Sequence, residues 1–409
     1  MNVPVGEGEQ NEEVLADILY SVSVIMLRLG HQHLEPSREN VRSISSGVTD
    51  LDLSDTVLGY ISSCINELQD LKSLNLKNNQ IPELPDLNFP NLKTINLKNN
   101  QISELPNLNL PNLKNIAMDK NMFGVYPSAL KQHNKLEGMW LNDNQLSELP
   151  DDLNLPNLKV IFLGSNKLTS YSSALKQHNK LEEVNLSNNL ISKLSDDLNL
   201  PNLKKIGLDN NKFTSYPLGL NQLINIEAMD LSSNQITELP ADAFKNNLNL
   251  KVLVLIGNPL GYIPTGLGHC INLKVLGLGD CKLTSLPEWF GKKLKNLQVL
   301  LLFGNPDLVE LPNSIRFVKQ AIFNANKQLG ENSSYDCDRV EAMVQAASDR
   351  VWKSQRILLT ARPPPQSEDD DEKEKGNLLS EFQHCHEVLF GGDETRRNYL
   401  TKTILQYLI

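Results

Sequence analysis

The feature that most limits how this chain can fold is one spacing of leucines that recurs along most of its length. In the stretch 71–85, LKSLNLKNNQIPELP, apolar residues stand at the first, fourth, sixth, eleventh and fourteenth positions and an asparagine at the ninth. The same spacing returns about every 21 to 24 residues as far as Pro312. Units of this size cannot bury an apolar face alone and must stack on their neighbours. The pattern therefore predicts one long repeat domain rather than several globular domains.

The motif L-x-x-L-x-L-x-x-N resembles that of the leucine-rich repeat family over roughly residues 48 to 312. Regular units begin at Leu71, Leu92, Leu113, Leu136, Leu158, Leu181, Leu203, Ile226, Leu250, Leu273 and Leu297. The resemblance implies an α/β fold, a right-handed solenoid or horseshoe with a parallel sheet on its concave side. The L-P-containing repeats, without disulfide caps, are similar to the intracellular and bacterial-effector branches of the family.

Within each unit the x-L-x-L-x core alternates apolar and polar residues, which predicts a strand with one buried face. The asparagine that follows, Asn79 in the first regular unit, is replaced once by Cys281, and Thr56 holds its place in a degenerate earlier unit. Its side-chain amide is expected to form hydrogen bonds with backbone N–H and carbonyl groups where the chain leaves the strand. We therefore interpret these recurring asparagines as structural. Connections of the SALKQHNK type favour a short helical turn, and those of the DLNLPN type an extended or 3₁₀ return.

The flanking sequences predict helical additions at both ends of the repeat array. Apolar residues at helical spacing before residue 30 indicate a cap, and the run SEDDDEKEK after three prolines indicates a solvated linker. The expected organisation is an N-terminal helical cap at 1–47, the repeat domain at 48–330, a helix at 331–362, an acidic proline-rich linker at 363–377 and a C-terminal helical segment at 378–409.

Composition narrows the classes of partner. The net charge of −10 disfavours a general nucleic-acid binder, and no secretory signal or membrane-spanning segment is recognisable. The odd number of scattered cysteines favours reduced thiols. We therefore expect a monomer with a protein partner and no cofactor, either cytoplasmic or secreted without a cleaved signal into a host cell cytoplasm.

The exposed strand positions of the middle units contain the candidate protein-binding site. Large apolar residues stand there where polar ones are expected, and exposed aromatic residues concentrate binding energy at interfaces. The predicted site consists of Trp140, Val160 and Phe162 with the neighbouring Ala117 and Asn185.

A second apolar patch is predicted on the last strands. It comprises Val252, Val254, Ile256, Val275, Val299, Leu301 and Phe303. Either an external protein binds this patch or the helices after residue 338 fold back and cover it, and the apolar faces of those helices favour the second alternative.

The first strands instead carry polar residues whose charge changes from negative to positive along the array. The negative residues are Asp50, Asp52 and Asp55, and the positive ones include Lys77 and Lys98. Lysines also recur after the first leucine of many units, with glutamates interleaved. This mixture is typical of a solvated edge, and a phosphate-binding strip is the alternative.

Catalytic signals are weak. His384, Cys385 and His386 are successive residues of a predicted helix that face apart, so no metal site is expected. Bacterial effector ubiquitin ligases join leucine-rich repeats to a helical domain with a Cys-x-Asp nucleophile motif, and Cys337 with Asp338 lies in about that place. Here Asp338 follows Cys337 directly, and the helical remainder is far shorter than that catalytic domain. A binding scaffold is the main hypothesis; a thiol ligase and a structural spacer are its alternatives.

Overall fold

The computed structural model describes residues 23–25, 43, 45–171, 173–302, 304–308, 311–312, 314 and 322–323. The chain divides into two units, Met1–Val184 and Asn185–Ile409, here called the N-terminal and C-terminal units. Most of the predicted N-terminal cap and all residues after 323 lie outside the described residues, and so do the expected helix, linker and C-terminal segment.

The N-terminal unit contains a parallel sheet of three-residue strands, one for each repeat. Its strands are β1 (Asp50–Asp52), β2 (Ser73–Asn75), β4 (Thr94–Asn96), β6 (Asn115–Ala117), β7 (Gly138–Trp140) and β8 (Val160–Phe162), adjacent in that order. Adjacent strands pair without slippage, so Leu74 lies beside Leu51 and Ile95. The predicted parallel sheet is therefore confirmed.

Burial alternates along these strands as their pattern predicts. Leu74, Ile95 and Ile116 at the strand centres are almost completely buried, while the residues on either side of them are partly exposed. Buried leucines of the returning segments close the core from the other side, among them Leu87 and Leu108. The core is thus a stack of apolar layers, each removed from water by its neighbours.

The returning segments differ as their two sequence types do. The segments containing DLNFPN and NLNLPN are extended, and β3 (Leu87–Asn88) pairs in parallel with β5 (Leu108–Asn109). Five other returning segments form 3₁₀ turns, at Ser63–Glu67, Ser128–Gln132, Ser173–Gln177, Leu218–Gln222 and Thr265–His269. The two DDLNLPN segments, at 151–157 and 196–202, contain turns but neither a strand nor a 3₁₀ helix. The two SALKQ copies are therefore short helical turns, as expected.

The C-terminal unit continues the same design. Strand β9 (Glu183–Asn185) contains the division between the units. The parallel strands that follow are β10 (Lys205–Gly207), β11 (Ala228–Asp230), β12 (Val252–Val254), β13 (Val275–Gly277), β14 (Val299–Leu301) and β15 (Ile322–Phe323), adjacent in chain order. One short helix, α1 (Phe290–Lys293), precedes β14.

The recurring asparagines form a buried ladder, the core asparagine ladder, which joins each repeat to the one before it. Asn144 is typical: its Oδ1 accepts from the N–H of Phe123 at 3.1 Å, and its Nδ2 donates to the carbonyls of Met118 at 3.0 Å and of Leu141 at 3.1 Å. Asn100, Asn121 and Asn166 make equivalent contacts in the same unit, and Asn211, Asn234, Asn258 and Asn305 in the other. The predicted structural column is therefore a continuous hydrogen-bonded element within each unit.

Two substitutions in this ladder keep part of the bonding. The Thr56 hydroxyl donates to the Leu53 carbonyl at 2.7 Å, as asparagine does within its own repeat. The Cys281 thiol lies 3.3 Å from the carbonyls of Leu255 and Gly279. Burial raises the pKa of Cys281 to about 12, so the thiol keeps its proton and remains a weak donor.

A second, exposed ladder was not predicted. It is formed by the asparagine that directly precedes the first leucine of many repeats, and we call it the edge asparagine ladder. Asn249 Nδ2 donates to the Ile224 carbonyl at 3.0 Å, and Asn272 to the Leu248 carbonyl at 2.9 Å. Asn91, Asn112, Asn157, Asn225 and Asn296 each bond to the preceding repeat in the same way.

Candidate functional site

The sheet face opposite the core, here called the open face, presents three rows of residues in the N-terminal unit. The first row is Asp50, Ser73, Thr94, Asn115, Gly138 and Val160; the second is Asp52, Asn75, Asn96, Ala117, Trp140 and Phe162. The third row, two residues further along each chain segment, is Ser54, Lys77, Lys98, Asp119, Asn142 and Gly164.

Trp140 lies across its own strand, over Gly138. A Cβ placed on Gly138 would be 2.7 Å from Cζ3 of the indole and 2.7 Å from the Asn115 Oδ1. No side chain larger than hydrogen fits beneath the ring in this position. The absence of a side chain at 138 therefore makes room for the indole across the strand, and Trp140 remains partly exposed.

The neighbouring ring supports Trp140 from the other side. The rings of Trp140 and Phe162 are 6.3 Å apart between centroids and meet edge-on at 80°, an arrangement that aromatic pairs favour. Only 9% of the Phe162 surface is accessible to solvent, so Phe162 is not the exposed side chain that the strand pattern predicted. Val160 and Ala117 are partly exposed beside this pair. The structure thus brings together four of the five predicted site residues, with Trp140 as the accessible aromatic.

Backbone N–H groups of the third row need an acceptor, and the polar second-row residues supply one. Asp52 accepts from the Ser54 N–H at 2.9 Å, and Asn96 from the Lys98 N–H at 3.0 Å. Trp140 and Phe162 have no such acceptor. Instead Asp119 accepts from the Asn142 N–H at 2.9 Å, and Asn142 in turn from the Gly164 N–H at 2.8 Å. Acceptors from the preceding repeats therefore allow the apolar residues to occupy the second row.

Asp119 provides this acceptor from a buried position. Burial raises the pKa of its carboxyl, an effect that the charge of Lys98 and the hydrogen bonds from Asn142 oppose. Its Oδ1 accepts both from the Asn142 backbone N–H and, at 2.8 Å, from the Asn142 Nδ2. A neutral amide with the same oxygen would be sufficient for these two contacts.

We expect Asp119→Ala to be less stable than Asp119→Asn by about 2 kcal/mol. Alanine leaves the buried Asn142 N–H without an acceptor, whereas asparagine keeps one, and both variants remove the same charge. Urea unfolding of the two variants measures the difference in the free energy of unfolding. Equal stabilities would show that Asp119 does not support the strand end beside Trp140.

The edge of this face carries a three-residue ion-pair network. Glu137 accepts from Lys114 and Lys159 on either side of it, both at 2.7 Å. These two hydrogen bonds hold the pKa of Glu137 below its usual range. At this point the alternating charges form the stabilised edge that the mixed signs indicated.

The second predicted patch lies on the open face of the C-terminal unit. Val252, Val254, Val275 and Leu301 are partly exposed there, while Ile256 keeps only 9% of its exposure. The side chains of Val254 and Ile256 lean over Gly277, each within 3.1 Å of where its Cβ would be. Val299 belongs to β14, and Phe303 lies outside the described residues, as do the helices expected to cover the patch.

The same unit buries polar residues on its open face. Asn185, the fifth predicted site residue, keeps 1% of its exposure; its Oδ1 accepts from the Ser187 N–H at 2.8 Å, and its Nδ2 has no partner among the described residues. It is therefore not accessible to a partner in this structure. Asp230 accepts from the Ser232 N–H at 2.8 Å, and burial raises the pKa of Asp230 to about 6.

The other chemistry considered in the sequence is largely outside the described part of the chain. Cys337 and Asp338 are not among the described residues, whereas Cys64, Cys270 and Cys281 are described and buried. Among the described residues no group of three His, Cys, Asp or Glu side chains is placed to hold a metal ion. None of the described helices has the length and apolar character needed to cross a membrane.

Comparisons with known proteins agree with this architecture. Models of the leucine-rich repeat match residues 91–113, 201–260 and 224–283. No curated protein sequence matches the chain. Among solved structures, the chain is similar to an internalin, inlF, from Listeria monocytogenes, with 18% identity over 75% of this chain and 95% of that one and a TM-score of 0.55. It is also similar to TLR13 in a TLR13–ssRNA13 complex, with 20% identity over 74% of this chain and 52% of that one and a TM-score of 0.58. A third similar structure is Toll in the Drosophila Toll–Spatzle complex, with 20% identity over 66% of this chain and 45% of that one and a TM-score of 0.53.

Proposed function

Because the chain is a leucine-rich repeat protein, we propose that it is a protein-interaction scaffold that binds a partner protein on the open face of its N-terminal unit. The observation that carries this proposal is the partly exposed Trp140, which packs edge-on against Phe162 and lies over Gly138. An aromatic ring that is already held in one position loses little conformational freedom when a partner packs on it. Val160 and Ala117 extend the apolar contact.

The fold supports this proposal in general terms. Repeat arrays of this kind present an extended surface made of many side chains and few deep cavities, which suits macromolecular partners. Toll is solved in a complex with Spatzle, so a similar fold has a protein ligand. The five cysteines of the sequence are odd in number and widely separated, which fits a reducing compartment. We therefore propose a cytoplasmic partner, in the producing cell or in a host cell that this protein enters as an effector.

We expect Trp140→Ala to weaken binding of such a partner by roughly 30-fold or more, the loss typical of an interface hot spot. Trp289→Ala is the matched control, because Trp289 is also partly exposed but lies beside α1, stacked on Phe290. Affinity capture with mass spectrometry on the whole chain identifies proteins retained by the wild type and by the control. Dissociation constants for each purified candidate then give the size of the loss.

The proposal fails if Trp140→Ala retains every partner of the wild type with unchanged affinity. A loss shared equally by Trp140→Ala and Trp289→Ala would also contradict it, since the two residues lie in different units. Unchanged urea unfolding of Trp140→Ala would exclude general destabilisation as the reason for lost binding.

A further inference from the structure

On the sheet of the N-terminal unit, four lysines have no ion pair among the described residues: Lys77 and Lys98 in the third row of the open face, and Lys72 and Lys93 at its edge. Lys72 and Lys77 flank β2, and Lys93 and Lys98 flank β4. Strand β4 is two strands, and β2 three strands, away from β7 and Trp140. Lys72 and Lys93 are exposed, and Lys77 and Lys98 are partly exposed. Among the described residues no carboxylate pairs with any of the four, and the interaction of Lys98 with Asp119 is electrostatic only.

On the strands that follow, the lysines at the same edge as Lys72 and Lys93 are neutralised by a carboxylate. Lys114 and Lys159 share Glu137, and Lys131 pairs with Asp152 at 2.7 Å. The chain as a whole has a net charge of −10, so carboxylates are abundant. Among the described residues, Lys72 with Lys93 and Lys77 with Lys98 therefore lie side by side on adjacent strands without a pairing carboxylate.

The four lysines also face one another in like-charged pairs. Strands β2 and β4 are in register, so Lys77 lies beside Lys98, and the Lys93 N–H donates to the Lys72 carbonyl at 2.8 Å. Like charges directly opposite one another on a sheet destabilise it. Ser73, Asn75, Thr94 and Asn96 fill the space between the pairs with hydroxyl and amide groups. The surface is therefore a polar, positively charged platform that an anionic partner would neutralise.

Nearby carboxylates are already bonded elsewhere. Asp52 accepts from Ser54 and from the Asn75 Nδ2, and Asp119 accepts from Asn142. Asp50, Asp52 and Asp55 lie on or just after β1, directly beside the platform. Their negative charges would repel an anionic segment that extended beyond β2 towards β1. They therefore limit how far such a segment can reach in that direction.

We propose that the partner contacts this face with an acidic segment that carries a large apolar side chain about four residues from its carboxylates. This inference rests on the proposed function and names the chemistry of the partner. Parallel strands lie about 4.8 Å apart, so the middle of the platform is roughly 12 Å from β7, the length of about four extended residues. The Asp or Glu side chains bind Lys77 and Lys98, or Lys72 and Lys93, while the apolar side chain packs on Trp140.

The experiment uses the whole chain and labelled ten-residue peptides. One peptide has Glu at positions 2 and 3 and Phe at position 7, and a second has the same residues in reverse order. Versions with Gln for Glu and with Ala for Phe are the controls. Fluorescence anisotropy at low salt measures each affinity. In one of the two orders, the Glu peptide should bind about tenfold more tightly than its Gln version, and added salt should remove most of this difference.

Charge reversal on the protein tests the residues. We expect Lys77→Glu with Lys98→Glu to abolish the preference for Glu over Gln and to bind a peptide with Lys at positions 2 and 3 instead. Lys193→Glu with Lys212→Glu makes the same charge change at exposed lysines of the other unit and should leave the preference unchanged. Equal effects of the two double variants would overturn the inference, because net charge alone would then explain the binding.

Two further outcomes separate this inference from the proposed function. If Trp140→Ala and the Ala peptide both lose binding but Glu and Gln peptides bind alike, the aromatic site stands and the acidic segment is wrong. If a ten-nucleotide single-stranded RNA binds more tightly than the Glu peptide, and Lys77→Glu with Lys98→Glu abolishes that binding, the platform belongs to a nucleic acid and the inference is overturned.

Discussion

Asn144→Ala should lower the free energy of unfolding by about 4 kcal/mol. The side chain is buried, accepts from the Phe123 N–H and donates to the carbonyls of Met118 and Leu141. Alanine leaves the buried Phe123 N–H without its acceptor, which costs about 1 to 3 kcal/mol, and removes two further hydrogen bonds worth about 1 kcal/mol each. The Met118 carbonyl keeps its second donor, the Nδ2 of Asn121. Urea unfolding followed by circular dichroism measures the change.

The matched control is Asn249→Ala in the edge asparagine ladder. Asn249 is exposed and donates one hydrogen bond to the carbonyl of the exposed Ile224. Water can replace that bond, so we expect a loss below about 1 kcal/mol. Equal losses at the two positions would show that burial does not determine what an asparagine contributes, and would contradict the role given to the core ladder.

Asp230→Asn should stabilise the protein near neutral pH by about 3 kcal/mol. Burial raises the pKa of the Asp230 carboxyl from 3.8 to about 6, and each unit of such a shift corresponds to about 1.4 kcal/mol. Asparagine keeps an Oδ1 that can accept from the Ser232 N–H but carries no charge to desolvate. The gain therefore comes from removing an ionised group from a buried position.

The sign of the pH dependence follows from the raised pKa. The protonated form of Asp230 is favoured in the folded protein, so its contribution to stability is complete below pH 3.8 and is lost as pH rises through 6. The stability difference between Asp230→Asn and wild type should thus be small at pH 4 and grow up to pH 7. Unfolding curves across this range measure it. A difference that stays constant with pH would contradict the assignment.

Asp152→Asn provides a control of opposite sign. Asp152 is exposed, and its hydrogen bond with Lys131 lowers the pKa of its carboxyl. Any stability it contributes is lost as pH falls rather than as it rises. If the stability difference from wild type changed with pH in the same direction for both variants, a general effect of net charge would explain it.

The scaffold could be predicted from sequence because it depends on local repetition. Leu74, Leu76 and Asn79 recur at fixed spacing, and each must be buried or hydrogen-bonded in the same way in every repeat. The two residues that replace the asparagine, Thr56 and Cys281, meet the same requirement, because each places a hydrogen-bond donor in the asparagine position.

The candidate site was predicted only in part because its geometry depends on neighbouring repeats. Alternation along one strand identifies Trp140 and Phe162 as facing away from the core. It does not reveal that Gly138 lets the indole lie across the strand, or that Phe162 is thereby buried. Aligning the repeats by row would have found the signal: second-row Asp or Asn is lost at 140 and 162, and an acceptor appears at 119 and 142.

The core asparagine ladder gives the array a chemical direction. Each asparagine bonds backward, to an N–H and a carbonyl of the repeat before it, as Asn79 does with Leu58 and Leu53. Loss of the following repeat therefore leaves a buried backbone N–H without its acceptor, whereas the carbonyl keeps a donor in its own repeat. Loss of the preceding repeat instead frees only part of one side-chain amide. Strand β1 is the first of the described sheet, and there the Thr56 hydroxyl contacts the Leu53 carbonyl of its own repeat and Asn79 of the following one. The two ends of such an array are thus not interchangeable, and new repeats added at either end would meet different requirements.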